Sequence, residues 1–176
     1  TTLVDASVGS AGVSIDGSSF GASVSVVVDI DDTHAFVGNE ANITALGNGT
    51  AVNVRDGVYT DSDGNQGSEL IRGLAVTATS FENHFVFAAG AAGAFGDDAI
   101  GVALSVGVAV MHGQTHALIR QGAIINGVNA AAHNNQGVLL RAVDETGLTL
   151  IAGGLAVGTG TDIGGAVTVG IVSNQV

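Results

Sequence analysis

The sequence predicts an all-β chain wound as a β-solenoid. Three observations carry that expectation: an internal repeat, an alternation of period two, and turn residues at short intervals. The repeat is clearest where Thr33-His34-Ala35-Phe36-Val37 returns as Thr115-His116-Ala117-Leu118-Ile119, each time closing a run of alternating valines. At a spacing of 82, residues 20–37 and 102–119 share Ser23/Ser105, Val24/Val106, Val26/Val108 and Val28/Val110. Both stretches follow an aspartate, Asp16 or Asp98, and a third copy begins where Asp162 precedes Val167, Val169 and Ile171. Self-similarity on this scale indicates stacked units that bury a shared core.

Taken along the chain, the elements follow from local pattern. Val24, Val26, Val28 and Ile30 fall on one face with Ser23, Ser25, Val27 and Asp29 on the other, which is the alternation of a strand. Val52 with Val54, Val76 with Ala78, Val106 with Val108 and Val110, and Val167 with Val169 and Ile171 read the same way. No segment carries a helical stripe. Turns are predicted at Asp16-Gly17, Gly38-Asn39, Gly47-Asn48-Gly49, Asp56-Gly57, Asp63-Gly64-Asn65, Gly113, Asn126-Gly127, Asn134-Asn135-Gln136-Gly137 and Glu145-Thr146-Gly147. Asn, Asp and Gly tolerate positive φ and bond their own backbone, so they punctuate strands without proline. A long-period repeat in such strands favours coils winding one way around an axis over a sandwich or a barrel.

The whole chain, 1–176, is read as a single β-solenoid region, with units at about 7–84 and 85–148, a partial unit at 149–176 and an insertion loop at about 46–69. The loop accounts for the difference between the 82 residues from Asp16 to Asp98 and the 64 from Asp98 to Asp162. If the shorter unit holds about three coils of about twenty residues, it is about 14 Å long at roughly 4.8 Å per coil. Valine is expected to stack on valine in the interior, with Phe20, Phe36, Phe81, Phe85, Phe87 and Phe95 in local ladders or at a bend. Each buried Val or Phe contributes about 1.5 to 3 kcal/mol. The run from Ala88 to Ala94 lets neighbouring backbones approach closely.

Composition closes off several classes. With 46% apolar but only 4% aromatic residues, the interior must be filled by Val, Ile, Leu and Ala. The chain has no cysteine, which excludes disulfides and thiolate metal sites. It has no lysine, and Arg55, Arg72, Arg120 and Arg141 stand against sixteen carboxylates for a net charge of -12. No basic stripe can form, so neither nucleic acid nor an anionic membrane surface is an expected partner. The acidity suits salty or calcium-containing surroundings, or simply keeps an apolar protein soluble. The chain opens without a basic head or an apolar leader block and reads as an internal or processed piece. Its longest uncharged apolar stretch, Ala99 to Met111, has 13 residues where a helical span takes about 20. A membrane segment over Phe85 to Met111 would bury Asp97 and Asp98, so no membrane insertion is expected.

The runs Ile151-Ala152-Gly153-Gly154-Leu155-Ala156-Val157-Gly158 and Ile163-Gly164-Gly165-Ala166-Val167-Thr168-Val169 bear on family. So does Thr33-His34-Ala35-Phe36-Val37 followed by Gly38-Asn39-Glu40-Ala41-Asn42-Ile43-Thr44-Ala45. Together they resemble repeats of giant bacterial surface and secreted adhesins of the filamentous-haemagglutinin and leukotoxin type. The resemblance covers most of the chain outside 46–69. It implies a right-handed parallel β-helix serving as a long extracellular stalk, and it brings no catalytic residue. Members of that family usually carry many more copies, so the chain is expected to be an excerpt of something longer or a subunit whose stack continues through neighbours. An uncovered coil would present unpaired N–H and C=O groups as a template for another strand.

Local chemistry centres on Asp61-Ser62-Asp63-Gly64-Asn65-Gln66-Gly67-Ser68-Glu69. Alternating oxygen ligands at Asp61, Asp63 and Asn65, with Glu69 nearby, make a candidate calcium loop, because a hard cation takes six to eight oxygens on a flexible turn. Gln66 stands where a calcium loop has glycine, and the twelfth position is Arg72 rather than glutamate, so a solvated acidic turn is the competing reading. Gly158-Thr159-Gly160-Thr161-Asp162 matches half of a calcium-binding nonapeptide without a tandem copy and reads as a structural turn. Asp97-Asp98 and Asp29, Asp31 and Asp32 read as wet loops. His112 and His116 have the spacing of a helical zinc pair but sit in a predicted strand. His34 and His116 occupy equivalent places in two copies, which suggests a packing role. Asn42-Ile43-Thr44 and Asn48-Gly49-Thr50 are glycosylation sequons.

No nucleophile elbow or phosphate loop is present, and the aromatic sugar platforms of a glycan-cleaving enzyme reduce to Tyr59. The expectation is a structural or adhesive element of an extracellular bacterial surface protein or filament, at the cell surface or outside it. It would work without catalysis and without a resident cofactor beyond the candidate calcium. Its partners are itself, end to end, or the continuation of a longer chain, together with a host or surface receptor. A carbohydrate-active β-helix lyase or hydrolase and a calcium-stiffened structural module are the alternatives.

Overall fold

The computed structural model describes residues 2–61 and 65–176. Its ten strands are β1 (Thr2–Ile15), β2 (Ser19–Val37), β3 (Asn42–Ile43), β4 (Val52–Tyr59), β5 (Gln66–Ile71), β6 (Gly73–Phe95), β7 (Ile100–Ile119), β8 (Ile124–Ile125), β9 (Gly137–Gly158) and β10 (Thr161–Gln175). The described residues contain no helix. Six long strands form two three-stranded parallel sheets, sheet A in the order β1-β6-β9 and sheet B in the order β10-β7-β2. The chain runs up sheet A, turns a short corner at 16–18, 96–99 or 159–160, and continues in sheet B. It returns to sheet A through 38–72 and then through 120–136. β3 and β8 pair in parallel between the returning segments, and β4 and β5 form an antiparallel hairpin within the first of them.

The ladder aligns the first two copies as the sequence displays them, while the third is offset by 61 residues and pairs Asp162 with Gly101 rather than with Asp98. Ser23 lies beside Ser105, Val24 beside Val106 and His34 beside His116, which is the offset of 82. The same ladder continues from Val106 to Val167 and from Val108 to Val169. The His34 and His116 rings stack with centroids 5.2 Å apart.

Two expectations are overturned. A repeat unit is a single pass through both sheets rather than about three coils, so each adds about 4.8 Å of stack and not 14 Å. Gly113 and Glu145-Thr146-Gly147, predicted as turns, lie inside β7 and β9, which run on for 20 and 22 residues. Asp56-Gly57 also stays within a strand, where β4 shifts register between Arg55 and Tyr59.

The second correction concerns facing. Val24, Val26, Val28 and Ile30 point outward, each more than half exposed, while Ser19, Ser23 and Ser25 are buried against sheet A. The reason is room. Near the corners the sheets approach until backbone meets backbone: a Cβ on Gly154 would lie 2.5 Å from Gly165 O and 2.7 Å from Ala103 O. Only Gly, Ala and Ser fit such a gap, so β-branched side chains take the outer faces. Away from the corners the gap widens, and Val86, Met111, His84 and Glu82 are fully buried there. The interior therefore tapers, thin at the corner end and thick toward the middle of the strands.

Candidate functional site

The thick part of the interior is polar. Strand alternation in β2 aims Asp29, Asp31 and Thr33 inward along with Ser23 and Ser25. In β6 it does the same for Ser80, Glu82 and His84, and the register places Asp144 of β9 beside Ser80 and Thr146 beside Glu82. Thr115 of β7 and Asn174 of β10 complete the layer. Gly113 opens space for it, since a Cβ there would lie 3.0 Å from Asp144 Oδ2.

The carboxylates of this layer fall into two groups. Asp31 Oδ2 accepts from Ser80 Oγ at 2.7 Å and from Thr33 Oγ1 at 3.0 Å. Asp144 accepts from Thr115 Oγ1 at 2.9 Å, Thr146 Oγ1 at 3.2 Å and Asn174 Nδ2 at 2.6 Å. Those donors replace water and make burial tolerable. Asp29, Glu82 and His84 have no such shell. His84 Nε2 lies 3.1 Å from Asp29 Oδ2 and 3.9 Å from Glu82 Oε2. Neither ring nitrogen, nor Asp29 Oδ2, nor Glu82 Oε1 makes a well-formed hydrogen bond. Glu82 is 1% exposed and His84 0%. Burial, followed by the charges of Asp29, Asp31 and Asp144, raises the Glu82 pKa to about 7.

Asp29 and Asp31 are therefore inner-face strand residues, not members of a wet loop. Glu82 and His84 escaped sequence reasoning altogether. The signal that could have found them is their i, i+2 spacing, following Ser80, inside a strand whose inner positions on either side, Val76, Ala78, Val86 and Ala88, are apolar.

Of the candidate calcium loop, Glu69 lies in the second arm of the β4–β5 hairpin, Asn65 immediately precedes that arm and Asp61 follows the first. Asp61 Oδ1 accepts from Asn65 N at 3.1 Å and its Oδ2 from Asn65 Nδ2 at 2.7 Å. Asp63 lies outside the described residues. Glu69 forms an ion pair with Arg141 of β9, and Arg141 also donates to Asp56 O at 2.8 Å. Tyr59 anchors the hairpin further: its hydroxyl donates to Ser80 O at 2.7 Å and its ring packs on Phe81 at 4.8 Å. Burial raises the Tyr59 pKa. A concavity of about 350 Å³ between hairpin and sheet brings Tyr59, Asp61, Phe81, Asn83 and Glu145 together.

His112 and His116 both point outward from β7, about 13 Å apart for four strand residues, and do not converge. His112 Nε2 instead contacts Gln114 Nε2 at 3.2 Å. Arg120 lies over the Phe36 ring at 3.7 Å, and Arg72 donates to Gly47 O and Gly49 O. Asn126, at φ 52, holds both backbone groups of Ala45: its Oδ1 accepts from Ala45 N at 2.6 Å and its Nδ2 donates to Ala45 O at 3.1 Å.

The outer faces are apolar. On sheet B the rows Val24-Val106-Val167, Val26-Val108-Val169 and Val28-Val110-Ile171 cross all three strands. On sheet A the rows Gly9-Ala89-Gly153 and Ala11-Ala91-Leu155 floor a shallow trough of about 650 Å³. Among the described residues no helix is long and apolar enough to cross a membrane. No protein-family model, curated protein or solved structure matches the chain.

Proposed function

We propose that the chain is a structural and adhesive element, wound as a right-handed β-solenoid, of an extracellular bacterial surface protein or filament, and that it performs no catalysis. The observation that carries this reading is the ladder, in which like stands on like through successive passes: Ser on Ser, Val on Val and His on His. Such stacking gives a quasi-one-dimensional body in which each unit contacts only its neighbours. The right hand follows from the general preference of crossovers between parallel strands. The extracellular setting rests on the adhesin-like runs and on the acidic composition.

Two further features support the reading. β1 and β9 are the edges of sheet A, and β2 and β10 the edges of sheet B. These edges are suited to pair with further turns, supplied by a longer chain or by a neighbouring copy. The outer valine rows suit lateral contact, because parallel sheets are ordinarily covered on both faces. One chain alone is a slab three strands deep, so rods arise only by stacking.

Electron microscopy and fibre diffraction of the purified chain at rising concentration test this. The expected result is elongated particles with an axial repeat of about 4.8 Å. Compact monomers at every concentration, with no axial reflection, would sink it.

A further inference from the structure

We propose that Asp29, Glu82 and His84 form a binding site for one divalent first-row transition ion, of the zinc, manganese or cobalt class, clamped between the two sheets. The site is independent of the reading of the chain as a stalk, because it rests on side chains within the interior.

Geometry is the first support. One donor atom from each residue lies within 4.8 Å of the other two. With two of the separations at 3.1 and 3.9 Å and the third no more than 4.8 Å, a common point lies no more than about 2.4 Å from all three donors. Metal–nitrogen and metal–oxygen bonds of about 2.0 to 2.2 Å are reached from there by side-chain shifts of a few tenths of an ångström.

The second support is the lack of any other partner. Apart from the 3.1 Å approach of His84 Nε2 to Asp29 Oδ2, these atoms, His84 Nδ1 and the second Glu82 oxygen, Oε1, are buried without a well-formed hydrogen bond. The neighbouring Asp31 and Asp144, in the same layer, have hydroxyl and amide donors. Buried polar atoms are normally satisfied, and those left bare at one point from three side chains mark a ligand's position.

Charge is the third. Two carboxylates and an imidazole face each other, with Asp31 and Asp144 nearby and no lysine in the chain. Arg72, Arg120 and Arg141 are engaged elsewhere, and among the described residues neither Asp29 nor Glu82 forms an ion pair with an arginine. A divalent ion balances the Asp29 and Glu82 charges. The imidazole nitrogen selects a transition ion over calcium or magnesium, which favour all-oxygen sets. Since Glu82 and His84 are closed to solvent, the ion would cross-link β2 of sheet B to β6 of sheet A rather than meet a substrate.

The test uses the full chain, stripped with chelator and titrated with Co²⁺, Zn²⁺ and Mn²⁺, with Ca²⁺ and Mg²⁺ for comparison. One Co²⁺ per chain is expected, with a visible absorption band from nitrogen and oxygen ligation and a raised unfolding midpoint. Asp29→Asn, Glu82→Gln and His84→Gln should each weaken binding about tenfold or more, as loss of one ligand does. His112→Gln with His116→Gln should leave binding unchanged. Asp29→Asn and Glu82→Gln relieve buried charge, so they keep the test open if His84→Gln does not fold. Absence of stoichiometric binding would overturn the site, as would binding that survives Asp29→Asn and Glu82→Gln or that follows His112 and His116. Rod formation in the stacking experiment is read separately, so either idea can fail alone.

Discussion

Replacing Glu82 by Gln in metal-free buffer should stabilise the protein at alkaline pH and leave it nearly unchanged in acid. Glu82 is raised from 4.5 to about 7, first by burial and then by Asp29, Asp31 and Asp144. Between those two values the native chain keeps a proton that the unfolded chain has released. Stability contributed by this group is therefore full below pH 4.5 and falls as pH rises toward 7, levelling above it. The difference corresponds to about 3 kcal/mol at about 1.4 kcal/mol per unit of pKa. Glutamine keeps the shape without the charge, so the variant should match wild type within about 1 kcal/mol near pH 4.5 and exceed it by about 3 kcal/mol at pH 8. Urea unfolding followed by far-UV circular dichroism, with chelator throughout, reads both quantities. Subtracting variant from wild type removes the contribution of every titrating group not coupled to Glu82. A difference that stays flat from pH 4.5 to 8, or one that grows toward acid, would refute the placement of this carboxylate in the interior.

Adjacent glycines give a contrast of faces. Gly154→Ala should cost about 2 to 3 kcal/mol because its Cβ meets Gly165 O and Ala103 O, while Gly153→Ala, with open space, should stay within about 0.5 kcal/mol. Equal urea midpoints would mean that the sheets are not in backbone contact. Arg141→Gln removes the Glu69 pair and the bond to Asp56 O, so limited proteolysis should nick the β4–β5 hairpin sooner while circular dichroism stays unchanged. Unaltered cleavage kinetics would show that Arg141 does not tether the hairpin. Asn126→Ala loses the paired bonds to Ala45 and places alanine at φ 52, a cost of about 2 to 3 kcal/mol. The Ala45 amide should exchange faster in that variant, and Asn126→Gly should recover the backbone part alone.

The parallel pairing was legible because a strand pairing in register repeats its side chains. Thr33-His34-Ala35 could be laid on Thr115-His116-Ala117 from the sequence, and that offset is the one in the β2–β7 ladder. Which face turns inward was not legible from hydrophobicity. Period two assigns Val24, Val26 and Val28 to one side of β2 but says nothing of the space on either side. Here the gap between sheets, set by Gly154, Ala103 and Gly165, admits only small groups. Strand length is hidden for a related reason: Gly113 has the signature of a turn, and only the proximity of Asp144 shows why a strand carries glycine there. The interior site was hidden because Asp29 and Asp31 look solvated beside Asp32, and only the alternation from Ser23 onward places them with Glu82 and His84.

The tapered interior also keys the two sheets against sliding. Moving sheet B by one pleat toward the corners would push Met111 into positions that now hold alanine and glycine, and the reverse movement would open voids. A tensile or shearing load applied parallel to the strands therefore meets interlocked volumes before any hydrogen bond is strained. A ribbon assembled from such layers would be stiff along the strands.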